Sequence, residues 1–149
     1  IKIKFTMTTT LHTIFGLYFL LASALPVTWN DLADVKFNPK LNKEIGEYFL
    51  YPTFGKKVQA LENKQIEIKG YMIPISVEEN ILIISQKPMA SCFFCGGSGP
   101  ESAIQVKMKK PIKFKTDQIA TIRGTFRLNA DNIEELNYIL EQAEVVSVQ

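Results

Sequence analysis

From Gln65 onward the chain alternates with period two, and that rhythm limits the fold more than any other feature. Ile66 and Ile68 alternate with Glu67 and Lys69, and Ile104, Val106 and Met108 alternate with Gln105, Lys107 and Lys109. Ala120, Ile122, Phe126 and Leu128 continue the pattern across Gly124. Alternation of this kind puts one face of a strand in a core and the other in water. Ile81 to Ile84 is an unbroken apolar run, the mark of a strand buried on both faces. Glycines inside strand patterns, at Gly70 and Gly124, signal bulges or sharp bends. About five strands with glycine bends predict a small, curled, partly open five-stranded β-barrel of the oligonucleotide/oligosaccharide-binding (OB) shape. An open sheet or small sandwich is the alternative. With 46% apolar residues and ten phenylalanines, a domain of this size can build a core.

Around this β domain, residues 65–149, the other segments read differently. Glu78-Glu79-Asn80 predicts a turn. The segment 110–115 predicts an extension of the Ile104 strand, with Ile112 and Phe114 inward and lysines outward as on a protected edge. Asp131 and Glu134 fit a capping box, and Ile133, Leu136 and Leu140 give a short late helix its apolar face. Val145 to Val148 predicts a closing strand. Residues 25–64 read as an N-terminal arm with short helical segments. Trp29, Leu32, Val35 and Phe37 are its packing residues, and Ile45, Phe49 and Leu50 suggest an amphipathic turn broken by Pro52 and Gly55.

The first 24 residues read as a leader. Leu11 to Leu25 is apolar, too short to span a bilayer, and ends in the small-x-small pattern Ala22-Ser23-Ala24. The expectation is a signal peptide cleaved after Ala24, export to the periplasm or beyond, and no stable membrane span. Lys2 and Lys4 precede Met7, so the start is either Met7 or upstream. Of 17 basic and 15 acidic residues, the leader holds Lys2 and Lys4 and no acid, so the mature chain carries 15 of each. A balanced charge does not favour nucleic acid as a partner.

His12, the only histidine, also lies in the leader. Its loss removes Ser-His-Asp triads, Cys-His pairs and histidine-based zinc catalysis. The two cysteines, Cys92 and Cys95, bracket Phe93 and Phe94 and are followed by Gly96-Gly97-Ser98-Gly99-Pro100. A catalytic dithiol would want a helix opening at the first cysteine, and glycines stand there instead. Two thiolates are half of a tetrahedral zinc site, with Glu101 the nearest carboxylate. Copper(I) is less demanding, and Met89 and Met72 add candidate thioethers. A disulfide that only pins the loop is the third reading. Phe93 and Phe94 are expected to send one ring inward and one outward, and Gly96, Gly99 and Pro100 to shape the turn. The residues thus favour a non-enzymatic protein and leave metal, disulfide and docking open.

The stretch Cys92-Phe93-Phe94-Cys95-Gly96, followed by Gly99-Pro100-Glu101, resembles the central motif of a bacterial family, the domain-of-unknown-function family 3299. Thr28 to Phe37, Tyr51 to Ile75 and Leu136 to Leu140 are similar to its members as well. The resemblance implies a small exported protein with an OB-like β domain. It also implies a link to metal uptake, chiefly of zinc, with an envelope protein or metal transporter as partner.

Overall fold

The computed structural model describes residues 23–76 and 81–149. Residues 1–22 of the expected leader and the expected turn at 78–80 lie outside them. The chain is mainly β. It begins with a short strand, β1 (Leu25–Pro26), and a helical turn, α1 (Trp29–Leu32). A hairpin follows, β2 (Val35–Asn42) and β3 (Glu47–Phe54), then a second helical turn, α2 (Lys56–Gln59). Five strands come next: β4 (Gln65–Ser76), β5 (Ile81–Ser85), β6 (Ala103–Met108), β7 (Gln118–Leu128) and β8 (Tyr138–Val148).

These five close a barrel in the order β4-β5-β6-β8-β7, with β7 returning to β4. The β6–β8 pair is parallel and the other four are antiparallel. Numbered from β4, the order is first, second, third, fifth, fourth, the Greek-key connection of the OB barrel. The period-two residues fill it: Ile66, Ile68, Met72, Leu82, Ile84, Ile104, Val106, Ile122, Phe126 and Leu140 are buried in one core. Gly124 is where the wall bends. The β7–β8 register breaks between Arg123 and Thr125, and a Cβ at Gly124 would lie 2.8 Å from the Glu141 carbonyl oxygen. Gly70 serves a different need, since a Cβ there would sit 2.6 Å from the Ser85 carbonyl and 3.0 Å from the Trp29 ring.

The N-terminal segment packs on the barrel as its apolar residues led us to expect. Leu25 and Pro26 pair parallel with Ile66 and Glu67. Leu32 is fully buried, and the Trp29 indole N–H donates to the Lys69 carbonyl at 2.9 Å. The Tyr138 hydroxyl donates to the Leu32 carbonyl at 2.8 Å. Burial pushes that phenol well above the ordinary tyrosine value, helped by the negative charges of Glu101 and Asp34.

Three local expectations need correction. The amphipathic turn expected around Ile45, Phe49 and Leu50 is the β2–β3 hairpin, a two-stranded sheet of its own. No late helix forms. Asp131 to Asn137 is a looped segment, and Leu140 lies in β8, which begins at Tyr138. The lysine-rich strand ends at Met108. Because β6 lies between β5 and β8 it is no edge, and Ile112 and Phe114 belong to the β6–β7 connection. Among the described residues no helix is long and apolar enough to cross a membrane.

Candidate functional site

The cysteines lie in the β5–β6 connection, which folds back over the outside of the barrel wall. Three 3-10 turns build it: Met89–Ser91, Phe93–Cys95 and Pro100–Ser102. The Met89 amide donates to Asp117 Oδ1 at 2.7 Å, which ties the first turn to the start of β7. Cys92 is extended between the first two turns, and its carbonyl accepts from the Cys95 and Gly97 amides at 3.2 and 3.1 Å. Gly96 ends the second turn in the left-handed region at φ +73°, where a side chain would be strained. Gly97 passes so close to the first turn that a Cβ would lie 2.6 Å from the Ser91 carbonyl. The Ser98 hydroxyl donates to the same carbonyl at 2.9 Å. Pro100 opens the last turn, and the Gln86 amide donates to the Ser102 carbonyl at 2.9 Å, closing the base.

This framework treats the two cysteines differently. Cys92 is 1% exposed and joins Ile73, Ile83 and Ala103 in a second, smaller core on the outer face of β4, β5 and β6. Phe93 and Leu136 pack against that cluster. Cys95 is exposed, as are Phe94 at 52% and Met89 at 45%. Of the two phenylalanines, one ring therefore packs inward and the other faces out, in an edge-on pair 5.3 Å apart. Both sulfurs are free thiols, and Cys95 feels its Cys92 neighbour. The Cys95 thiol is held above its ordinary value, first by partial dehydration and then by that neighbour. A reactive thiol needs the opposite environment, a cation or the N-terminus of a long helix. Only a three-residue turn begins here.

Cys92 and Cys95 are thus brought together, whereas Glu101 and Met72 are not drawn into their group. The Glu101 carboxylate folds back over Gly99, and its charge acts on Tyr138. Met72 is buried in the main barrel core, not in the smaller core that holds Cys92. Among the described residues, no three of His, Cys, Asp and Glu stand together as a metal-holding group. Two thiols fall short of the four ligands of structural zinc but match the low coordination number copper(I) accepts.

One feature escaped the sequence reading. A cleft of about 290 Å³ opens between the β2–β3 hairpin, the cysteine loop and the segment 130–137. Tyr48 and Tyr51 line one wall, Phe93 and Pro100 the second, and Asn132 and Asn137 the third. No local signal marks it, because its walls come from three distant stretches of chain. No family model, curated protein or solved structure matches this chain.

Proposed function

We propose that this chain is an exported, non-enzymatic accessory or binding protein of the bacterial family it resembles, with the Cys92–Pro100 loop as its contact surface. One observation carries the reading: the loop anchors itself through Cys92 and Phe93 and holds Phe94, Met89 and Cys95 out to solvent. An exposed aromatic and a thioether on a fixed backbone suit an interface anchor, because little side-chain or loop freedom is left to lose on binding. The partner is an envelope protein, such as a metal transporter. Export is supported by the position of β1, which starts at Leu25, directly after the expected cleavage point. Removing the residues before it leaves every described strand pair intact.

The test is a photo-reactive amino acid in place of Phe94, introduced in the native cells. A discrete cross-linked envelope protein is expected, absent when the same group replaces exposed Thr53 on the hairpin. Labelling no stronger at 94 than at 53 overturns the docking surface.

Soft-metal handling is the second reading, favoured by two free thiols held on one tight turn. Cys92 and Cys95 would hold copper(I) or, with ligands from a partner, zinc. Native mass spectrometry with copper(I) should show one metal per chain, lost in Cys92→Ser/Cys95→Ser. Metal uptake that survives the double replacement would sink this reading. Thiol–disulfide turnover is the least favoured, given the raised Cys95 thiol.

A further inference from the structure

The β6–β7 connection, residues 109–117, lies outside the cysteine loop and is pinned at both ends. The Lys109 amide donates to the Ala143 carbonyl at 2.9 Å. The Gln118 amide donates to the Lys115 carbonyl at 3.1 Å, and the Gln118 side chain accepts from the Lys115 amide at 3.2 Å. Phe114 packs against the main core. Between these pins Lys110, Pro111, Ile112 and Lys113 are exposed, Ile112 by 40%. Two clefts flank the ridge, of about 320 and 300 Å³, and Pro111 and Ile112 line both. Their remaining walls are largely apolar, with Pro74 and Leu82 on one side and Met108 and Val145 on the other.

Lysines outnumber acids among the described residues of this ridge, whose acids are Asp117 at its end and Glu144 on one cleft wall, where the carboxyl also feels Lys110. Lys109 is paired with Glu144 at 2.6 Å. Lys110, Lys113 and Lys115 join no ion pair among the described residues. We propose that this ridge is a peripheral anchor for an anionic lipid bilayer, with Pro111 and Ile112 entering the interface and Lys110, Lys113 and Lys115 meeting headgroup phosphates. An apolar tip among lysines gains from both terms of surface binding, apolar insertion and attraction to anionic lipid. The cations are all lysines, point charges without the planar fork that reads a fixed carboxylate or phosphate, so they suit a diffuse charge layer better than a shaped protein partner. Single-stranded nucleic acid wants an aromatic platform, and the one ring in this segment, Phe114, is committed to the core.

The anchor uses none of the cysteine-loop residues, although the Met89–Asp117 bond joins the two segments, and it is tested apart from that loop. Protein isolated from producing cells, its N-terminus fixed by mass, is floated with phosphatidylcholine vesicles with and without phosphatidylglycerol. Flotation is expected with the anionic vesicles alone, and high salt should abolish it. Replacing Lys110, Lys113 and Lys115 together by Gln should weaken binding about a hundredfold, or about fivefold per lysine. Ile112→Ser should weaken it several-fold and leave the salt dependence unchanged. All four positions are exposed, so melting curves of the variants should match the parent. Equal flotation with neutral vesicles, no flotation with anionic ones, indifference to the lysine replacements, or binding to soluble polyglutamate in place of vesicles would each overturn the anchor. Cys92→Ser/Cys95→Ser should float normally.

Discussion

Two cysteines three positions apart occupy opposite environments, and their reactivity should separate accordingly. Cys92 is sealed under the loop, and Cys95 is open but poorly ionised. Alkylation of the native protein should add one group, at Cys95, with a rate that climbs only above the ordinary thiol range. Peptide mass mapping across pH checks this, and a rate already level at neutral pH would contradict it. The glycines differ in the same way. At Gly97 a Cβ would strike the Ser91 backbone, which cannot swing aside, so Gly97→Ala should cost about 1–3 kcal/mol in a chemical denaturation curve. At Gly96 there is open space and only the left-handed conformation to oppose a side chain, so Gly96→Ala should cost about 1 kcal/mol. The sequence placed turn formers at Gly96, Gly99 and Pro100, and Gly96 closes one 3-10 turn while Pro100 opens the next. It could not show which thiol is buried, because Ile73 and Ile83, on two separate strands, supply the cover.

At the scale of elements, the segment between β7 and β8 shows why a helix was expected and a loop formed. Ile133, Leu136 and Leu140 have helical spacing, but Tyr138 and Leu140 also alternate, and pairing with β6 and β7 selects the strand. Asn129, only 5% exposed, organises the turn in place of a helix cap. Its side-chain Nδ2 donates to the Asn132, Glu135 and Leu136 carbonyls, and its side-chain Oδ1 accepts from the Asp131 and Asn132 backbone amides. Asn129→Ala would orphan several of these groups at once and should cost about 2–4 kcal/mol by equilibrium unfolding. Glu135 then fastens the loop to the wall. It accepts from Lys107 and Arg127, which hold its carboxyl below the ordinary value of 4.5. A carboxyl depressed on folding adds stability above its unfolded value and loses it as pH falls through the folded one. The parent should therefore lose stability below about pH 4.5, and Glu135→Gln should show a smaller loss over that window in melts at stepped pH. The hairpin was misread for a related reason. Pro52 looks like a helix breaker, yet it fits a two-stranded sheet whose outer edges need no partner.

Across the whole molecule, the barrel core is shared with the N-terminal segment. Val27, Trp29 and Leu32 complete its main core, and Leu32 and Lys69 accept the bonds that hold the segment down. A chain starting at Leu25 should melt like the longer one. A chain starting at Ala33 should lose about 5 kcal/mol or fail to fold, by the burial of three large apolar side chains. Calorimetry on both decides, and equal melting would show the segment to be dispensable. Alternation and glycine bends made the five-stranded OB-like barrel legible from the sequence, while its closure comes from the β4–β7 pairing. The connections were less so, because each is shaped by strands remote in the chain.

The order of strands has a consequence for how the molecule comes into being. β8 is the last strand in chain order, yet it stands between β6 and β7. Until it arrives, both neighbours have an open edge and the wall has a gap. In a chain synthesised N-terminus first, the β4–β5, β5–β6 and β4–β7 pairs can all form before β8 is present. Closure becomes a single late event, and strand pairing between such distant segments makes it slow compared with a helical domain of equal size.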